Sequence, residues 1–266
     1  MSQTPAHKSG QSPHVSAREQ FGRQAALYAR STVHASGDTL DIVRTWADPQ
    51  AGQFVLDVGA GAGFTAFELA PNVQQAVACD ATFEMLRQAG RLARERRLDN
   101  VRCVQGLAEA LPLPAASFHT YTCRMAAHHF ASPSEALKEA GRVLRPGGRA
   151  IFVDIISPSD AAAAAWQDRV ERLRDPSHQR DYAEVEWRHL FREAAFGEVT
   201  LTPLTHVETS MEDWAVRAGA TAEGLTELRQ LFASAPPEAA AAFQITPHGE
   251  DFGFTWPALA ILGVRA

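Results

Sequence analysis

The sequence predicts an α/β fold, in which helices cover both faces of a doubly wound, mostly parallel sheet. Segments typical of strands and helices alternate from residue 53 to 156, which favours parallel strands joined by helices. Residues 149–156 are almost wholly apolar, as expected of a central parallel strand. A glycine loop follows the first strand. Ligands of such sheets bind at the carboxyl ends of the strands, so the functional residues are expected there.

Hydrophobic periodicity assigns the elements in order. Residues 1–16, rich in Ser, Gln, Pro and His, predict a disordered tail. Strands are predicted at 54–58, 75–80, 101–105, 117–124, 149–156 and 198–208, with a final hairpin over 243–266. Helices are predicted at 17–30, 37–47, 64–70, 83–97, from 133 to before Pro146, at 161–174, from 184, and over 210–242 with a break at Pro236-Pro237. Ser132 to Glu135 form a predicted capping box.

Composition limits the classes of partner. Of the 266 residues 45% are hydrophobic, which suits a globular α/β domain with insertions. The net charge of −6, with no Lys/Arg run between aromatics, argues against nucleic acid. No apolar run is long enough for a signal peptide or a membrane helix, so we expect a cytoplasmic protein without membrane insertion.

Three cysteines, Cys79, Cys103 and Cys123, fall inside predicted strands. An odd number in strand interiors predicts buried free thiols in a reducing compartment. No C-x-x-C or Cys/His spacing indicates a metal site, so no metal is expected.

The glycine loop carries Gly59, Gly61 and Gly63 directly after the first strand. Glycines allow a sharp turn and leave room for a ligand, and the amides of the loop and of the next helix can face an anionic group. No Gly-Lys-Ser/Thr follows, which excludes a nucleoside-triphosphate P-loop. The spacing from Gly61 to Ala66 also fits the looser dinucleotide pattern. A plain strand–helix turn is the alternative, but three glycines exceed what a turn requires.

Asp80 ends the second strand, where a carboxylate can accept hydrogen bonds from both hydroxyls of a ribose. The same arrangement occurs in dinucleotide oxidoreductases and in S-adenosylmethionine methyltransferases. The alternative is an aspartate that only caps the following helix.

Three motifs resemble the class I S-adenosylmethionine-dependent methyltransferases, in their ubiquinone/menaquinone-methyltransferase-like (methyltransferase type 11) branch. They are VLDVGAGAG at 55–63, AEALPLPAASF at 108–118 and RVLRPGG at 142–148. A later run, LRDPSH at 173–178, resembles a subgroup of bacterial members. The resemblance covers roughly residues 20–266 and is strongest over 53–156. It implies a seven-stranded Rossmann-like sheet with an antiparallel C-terminal strand.

The resemblance also implies five segments and a cofactor, S-adenosylmethionine. After the tail, residues 17–50 would form a helical lid, 51–156 the cofactor-binding core, 157–242 an insert that caps the substrate, and 243–266 a hairpin that completes the sheet. The methionine part of the cofactor would contact Asp57, Gly59, Ala60, Gly61 and Gly63. The ribose and adenosine would contact Asp80, Ala81, Met85, Gly106, Leu107 and Ala108, and the lid would contribute Tyr28 and His34.

Some of these positions have alternatives. Many members carry Asp where this chain has Leu107, so the backbone or Glu109 would have to replace that contact with adenine. Met85 and Tyr28 are also explained by packing alone. Arg124 is expected at the cofactor, where it would bind an acidic group or backbone carbonyls.

His128 and His129 follow the fourth strand, where the family places the transferred methyl group. A general base is needed only if the acceptor must lose a proton. We expect one of these histidines to serve, with His129 favoured because Phe130 would anchor the turn. An ordinary pKa of about 6.5 would place a rate inflection near neutral pH. Alternatively, one histidine caps the turn and the other packs in the core.

The predicted function is methyl transfer from S-adenosylmethionine to a small-molecule acceptor by in-line displacement. A nicotinamide-dependent oxidoreductase shares the glycine loop and Asp80, but not the later motifs. A protein that binds S-adenosylmethionine without chemistry is the second alternative. The expected partner is a small-molecule substrate, with a homodimer left open and nucleic acid excluded.

Overall fold

The computed structural model describes residues 18, 20–22, 25 and 37–266. Residues 18, 20–22 and 25 are helical, within the predicted first helix. The predicted tail lies outside the described residues, as do Tyr28 and His34. The helices that follow are α1 (Asp38–Ala47), α2 (Phe64–Leu69), α3 (Phe83–Glu95), α4 (Pro133–Val143), α5 (Ala161–Arg174), α6 (Glu184–Glu193), α7 (Met211–Arg217), α8 (Ala222–Ala233) and α9 (Pro237–Ala242).

One sheet forms the centre of the fold. Its strands are β1 (Phe54–Val58), β2 (Gln75–Asp80), β3 (Val101–Gln105), β4 (Phe118–Arg124), β5 (Leu144–Ile155), β6 (Phe196–Glu208), β7 (Thr246–His248) and β8 (Asp251–Arg265). Seven of them follow the order β3-β2-β1-β4-β5-β8-β6, and β7 pairs with β8. The first five are parallel, whereas β8 is antiparallel to β5 and β6. The predicted sheet with an antiparallel C-terminal strand is therefore confirmed.

Alternating side chains of the central strands bury both faces of this sheet. Leu56 and Val58 of β1 belong to one apolar core, whereas Val55 belongs to the other. This alternation follows from the two-residue period of a strand. Burial on both faces explains why the strands are continuous apolar runs in the sequence.

A third core holds the second half of the chain together. Trp166 of α5 and Trp256 of β8 pack on Phe243, with ring centroids 5.4 Å and 4.6 Å away, and Trp214 of α7 packs on Trp256. Buried aromatic pairs of this kind contribute stabilisation beyond their buried area. The insert is thus fixed to the end of the sheet by its tryptophans.

Two predictions about the fold are wrong in detail. The segment 210–242 breaks twice rather than once, because Gly219 adopts φ +82° and the Thr221 side chain accepts the amide of Gly224 to start α8. Cys103 is exposed, whereas Cys79 and Cys123 are buried. Cys103 lies on β3, and this edge strand has a solvent-facing side.

The predicted capping box at the start of α4 has one of its two hydrogen bonds. The Ser132 hydroxyl accepts the Glu135 amide at 3.3 Å. The second bond, from the Ser132 amide to the Glu135 side chain, is replaced. The Ser132 amide donates to Glu109 at 3.2 Å, and the Glu135 side chain pairs with Lys138. Glu109 therefore ties the end of β3 to the start of α4.

None of the helices in the described part of the chain combines the length and the apolar character that crossing a lipid bilayer requires.

Candidate active site

A cavity of about 520 Å³ opens at the carboxyl edge of the sheet. The ends of β1 to β4 meet around it, and apolar side chains make up most of its wall. The described residues that line it are Phe21, 58–62, 64–65, 80–82, 85, 106–109, 124–126 and 129–132. The structure thus brings four separate stretches of the sequence together at one site.

The glycine loop turns sharply because Gly59, Gly61 and Gly63 adopt φ angles of +65°, +52° and +91°. A methyl group added at Gly59 would lie 2.5 Å from Cβ of Ala126, so no larger residue fits there. At Gly61, no other described atom lies within 4 Å of such a methyl group. Gly59 therefore allows close packing onto the turn after β4, while the backbone at Gly61 borders open cavity.

Several amides of the loop are already used within the protein. Gly61 N donates to Asp80 Oδ2 at 2.8 Å, Ala60 N to the Cys79 carbonyl at 3.1 Å, and Gly63 N to the Ala60 carbonyl at 2.8 Å. The expectation that these amides face a negatively charged ligand is therefore wrong at these three positions. The reason is that the loop needs internal hydrogen bonds to hold its sharp turn.

Asp80 lines the cavity directly beside the loop. Its Oδ2 accepts the amide of Gly61 and its Oδ1 accepts the amide of Thr82, both at 2.8 Å. Burial raises the pKa of Asp80, and the hydrogen bonds from Thr82 and Gly61 oppose this. The side chain of Thr82 and the amide of Ala81 also contribute hydrogen bonds that lower the pKa of Asp80, so a ligand would share the carboxylate oxygens with these groups.

Asp57 lies behind the loop, where it is fully buried. Its Oδ1 accepts the Thr122 hydroxyl at 2.8 Å, and its Oδ2 accepts the Ala66 amide at 3.2 Å. Burial raises its pKa to about 7, against the Thr122 hydrogen bond and the charge of Arg124. Asp57 thus joins β4 to the start of α2 and supports the loop from behind.

The far end of the cavity contains the residues that sequence reasoning assigns to adenosine. Ala81, Gly106 and Ala108 line it, together with Met85, which is also buried in α3. Leu107 is 48% exposed at the rim and offers no polar side-chain atom there. Gly106 has no space for a side chain, because a methyl group would lie 2.6 Å from Cδ of Pro112.

Arg124 reaches from β4 across the cavity wall. Its Nε donates to the Thr65 hydroxyl at 3.0 Å and its NH1 donates to the Thr39 hydroxyl at 3.2 Å. Burial lowers its pKa, and the charge of Asp57 opposes the change. The guanidinium therefore links α1 and α2 to the end of β4, in addition to facing the cavity.

The two neighbouring histidines occupy different environments. His128 turns away from the cavity, and its Nδ1 lies 2.6 Å from Asp154 Oδ1. Its backbone amide donates to the other oxygen of Asp154 at 3.1 Å. Burial would lower the pKa of His128, but the charge and hydrogen bond of Asp154 outweigh it and raise the pKa to about 9. His128 is therefore a protonated, ion-paired residue of the core.

His129, in contrast, lines the cavity. Its ring meets Phe21 edge-on with 4.9 Å between centroids, and its Nδ1 lies 3.3 Å from the Ser177 carbonyl oxygen. Burial and the nearby charge of His128 lower its pKa to about 4. This lowered pKa moves the rate inflection expected for His129 from near neutral pH to the acid side.

Sequence reasoning missed the polar residues that hold these side chains. Thr39, Thr65 and Thr122 bind Arg124 or Asp57, and Asp154, Asp175 and Ser177 surround the histidine pair. Their partners lie far away in the sequence, so no local spacing pointed to them. The run at 173–178 was the one available signal, since it resembles a recurrent motif without an assigned role.

Comparison with known proteins identifies relatives of the whole chain. Residues 56–152 match a family described as a methyltransferase domain. An uncharacterized methyltransferase of Bacillus subtilis, YcgJ, is 36% identical over 92% of this chain and 97% of its own length. Its crystal structure superposes with a TM-score of 0.82 at 35% identity, covering 85% of this chain and 97% of that one.

Two further comparisons cover the core or the fold. A ubiquinone/menaquinone biosynthesis C-methyltransferase, UbiE, of Paracoccus denitrificans is 36% identical over 50% of this chain and 56% of its own length. A geranyl diphosphate methyltransferase, solved with S-adenosylmethionine, shares the fold with a TM-score of 0.61 at 16% identity, covering 92% of this chain and 91% of that one.

Replacing Asp80 by Ala should weaken binding of S-adenosylmethionine while the fold is kept. Hydrogen bonds to a charged group contribute about 1.5–3 kcal/mol, so we expect a loss of roughly tenfold to a hundredfold in affinity. Calorimetric titration measures it, with the exposed Asp99→Ala as the control. Unchanged affinity in Asp80→Ala would contradict a ribose contact at this residue.

Gly61→Ala should reduce cofactor affinity by about tenfold or more, because the added methyl group would enter the cavity. Gly147→Ala is the matched control: Gly147 also has a positive φ angle, +74°, with no other described atom near the added methyl group. Both variants carry the same backbone strain, but Gly147 lies away from the cavity. Equal affinities of the two variants would mean that the loop is only a turn.

His128→Asn should lower the free energy of unfolding in a pH-dependent way. The pKa of His128 is raised from 6.5 to about 9 by folding, so its stabilisation is complete below about pH 6.5 and is lost as the pH rises through 9. The shift corresponds to roughly 3 kcal/mol. Urea unfolding at about pH 6 and at about pH 10 measures the free energy of unfolding. The difference between His128→Asn and wild type should be smaller at the higher pH than at the lower pH, while the exposed His189→Asn should differ little from wild type at either pH. A difference that does not change with pH would contradict the His128–Asp154 ion pair.

Proposed function

The chain belongs to the class I S-adenosylmethionine-dependent methyltransferases, in the ubiquinone/menaquinone-methyltransferase-like branch, and we propose that it methylates a small-molecule acceptor bound beside the cofactor. S-adenosylmethionine is its cofactor. The observation that carries the proposal is the cavity of about 520 Å³, whose size and mainly apolar wall are typical of small-molecule sites. Phe21 of the N-terminal helix contributes to its wall, which favours an enclosed acceptor over a macromolecular surface.

In this proposal the cofactor lies along the carboxyl edge of the sheet. Asp80 accepts the ribose hydroxyls, because its carboxylate lines the cavity at the end of β2. Ala81, Met85 and residues 106–108 flank the adenosine. The backbone at Gly59, Ala60 and Gly61 borders the methionine part, with Arg124 beside it. Gly63, which the family resemblance also assigns to the cofactor, does not line the cavity and faces Phe67 and Ala89 instead. Tyr28 and His34 remain predicted contacts of the lid.

Asp57 has a supporting role in this proposal. Both of its oxygens are occupied by Thr122 and Ala66, so it holds the loop in place for the cofactor. Glu109 lies in the cavity wall near Leu107, and one of its oxygens already binds the Ser132 amide. Its second oxygen is our candidate for the adenine amino group, which Leu107 cannot bind.

The transfer itself requires alignment and exclusion of water. The sulfonium is already an activated electrophile, so the acceptor atom must be held opposite the leaving sulfur at close range. Apolar side chains such as Phe21, Met125 and Phe130 keep water out of that part of the cavity. We propose that an acceptor with an apolar body and one O–H, N–H or acidic C–H group fits this wall. The UbiE relatives, which are named as C-methyltransferases, make carbon one of the candidate atoms.

His129 is the proposed general base for an acceptor that must lose a proton. A low pKa does not prevent this, because the acceptor proton becomes strongly acidic as the bond to the methyl group forms. His128 is already protonated and paired with Asp154, which argues against it as a base. His129 is therefore the stronger of the two catalytic candidates.

The alternatives differ in how far they agree with these observations. Because the chain belongs to the methyltransferase family, the alternative function as a nicotinamide-dependent oxidoreductase is excluded. A protein that binds the cofactor without turnover is still an alternative, and methyl transfer itself is the observation that separates the two. Location in the cytoplasm and a homodimer stay predictions.

Labelled S-adenosylmethionine, offered with a panel of phenols, quinols, amines and carboxylates, should reveal an acceptor. With that acceptor, His129→Gln should lower kcat by about 10²–10⁴-fold while cofactor affinity is kept. The wild-type rate should stay level through neutral pH and fall only on the acid side, since the base must be unprotonated and its pKa is about 4. Cofactor binding without transfer to any member of the panel would favour the non-catalytic alternative. Full activity of His129→Gln would mean that alignment alone carries the reaction.

A further inference from the structure

The loop that follows α5 reaches the back of His129, on the side away from the adenosine end of the cavity. The described residues that line the cavity all come from positions 21 to 132. The insert nevertheless contacts the site, because Ser177 and Asp175 of this loop lie against the imidazole of His129. Both loop residues are buried, and Phe21 packs on the same ring.

The hydrogen bonds of Ser177 fix the position of the proton on His129. The Ser177 hydroxyl donates to Asp175 Oδ1 at 2.6 Å, which uses its one hydrogen. Its Oγ and its carbonyl oxygen both lie 3.3 Å from Nδ1 of His129, and both can offer only lone pairs. Nδ1 must therefore be the donor. In a neutral ring this leaves Nε2 unprotonated, with the lone pair that a base requires.

Asp175 supplies a negative charge near the second ring nitrogen of His129, Nε2. Its Oδ2 lies 3.9 Å from Nε2 of His129. The backbone amide and the hydroxyl of Ser177 both donate to Asp175 Oδ1, at 2.8 Å and 2.6 Å, and hydrogen bonds of this kind favour the charged form of a carboxyl group. Asp175 is therefore ionised and faces the atom at which the proton would arrive.

The other charged groups around the ring have their own partners or lie farther away. His128, with centroids 4.1 Å apart, is paired with Asp154 of β5. On α5, Glu171 pairs with Arg174, and in the loop burial and the neighbouring positive charges hold the pKa of His178 well below its usual range, so its ring is neutral. Asp175 is thus the acid in closest reach of Nε2 of His129.

We propose that Asp175 and Ser177 are positioning residues for the methyl-transfer reaction and that they form a three-residue unit with His129. Ser177 holds the Nδ1–H tautomer of His129, and the carboxylate of Asp175 neutralises the imidazolium that forms when His129 takes up a proton. The inference rests on the proposed function. In the reaction, the electron pair of the acceptor atom forms the bond to the methyl group. The pair of the broken S–CH₃ bond stays on sulfur, and the acceptor proton moves to Nε2 of His129. The positive charge thereby passes from the sulfonium to the imidazolium, next to the carboxylate of Asp175.

This unit gives the run at 173–178 a function. Asp175 and Ser177 are its third and fifth residues, and their side chains are joined to each other and to the histidine from the fourth strand end. The second half of the chain would then complete the site from behind rather than only cover it.

The tautomer can be measured without knowing the acceptor. We would record ¹⁵N spectra of histidine-labelled protein bound to S-adenosylhomocysteine at about pH 7, with His129→Gln identifying the signal. The proposal expects a neutral ring with the proton on Nδ1. A proton on Nε2, or on both nitrogens, would overturn it.

Variants test the role of each partner. Asp175→Asn should weaken the hydrogen bond from the Ser177 hydroxyl to residue 175. The hydroxyl hydrogen could then turn toward Nδ1 of His129, which would shift part of the His129 population to the Nε2–H tautomer. With an acceptor in hand, kcat should fall at least about tenfold with the cofactor Kd unchanged. Asp181→Asn, a buried acid in the same loop that makes no contact with His129, is the matched control and should leave the tautomer as in wild type.

The outcomes separate this inference from the proposed function. An active enzyme with the proton on Nε2 of His129 overturns the three-residue unit and leaves the function standing. A protein that shows the Nδ1–H tautomer but methylates no acceptor overturns the function instead. Should Asp175→Asn fail to fold, Ser177→Ala replaces it. The Nδ1–H tautomer should then be kept, because the backbone carbonyl of residue 177 still accepts from Nδ1, and a kcat equal to that of wild type would overturn the unit.

Discussion

The site depends on one constraint: the glycine loop is held between two carboxylates that the fold buries. Asp57 binds the start of the helix that follows the loop, through the Ala66 amide, and Asp80 binds the loop itself through the Gly61 amide. Burying these charges is unfavourable, and burial raises both pKa values. The hydrogen bonds from Thr122, Thr82 and the backbone offset much of that cost. The loop is thereby fixed before any ligand arrives, as a preorganised site requires.

The fold and the outline of this site could be predicted because local patterns determine them. The strand at 54–58, the glycines after it and Asp80 at the next strand end all follow from spacing within a short stretch. The seven-stranded sheet with its antiparallel C-terminal strand followed from the family resemblance. Predictions failed where a tertiary contact overrides the pattern: Cys103 is exposed because β3 is an edge strand, and Gly219 ends a helix that its neighbours would continue.

The electrostatics of the histidine pair could not be predicted from the sequence. His128 and His129 are adjacent, yet one is charged in the core and the other neutral at the cavity. The difference arises from Asp154 on β5, which pairs with His128 alone, and from the burial of His129 without such an ion pair at hydrogen-bond distance. The charge of His128 in turn disfavours a second charge on His129. Two identical residues therefore acquire different roles through partners that are distant in the chain.

A crystal structure of the protein with S-adenosylhomocysteine would test the central claim most directly, namely that the cavity at the glycine loop is where the cofactor and the acceptor meet. We predict that the ribose hydroxyls lie on Asp80, that the backbone at Gly61 borders the amino-acid part, and that the sulfur faces the wall formed by Arg124 and His129. Unfilled space should remain between the sulfur and Phe21 for the acceptor. A ligand bound elsewhere, or one with its adenine against His129, would contradict this account.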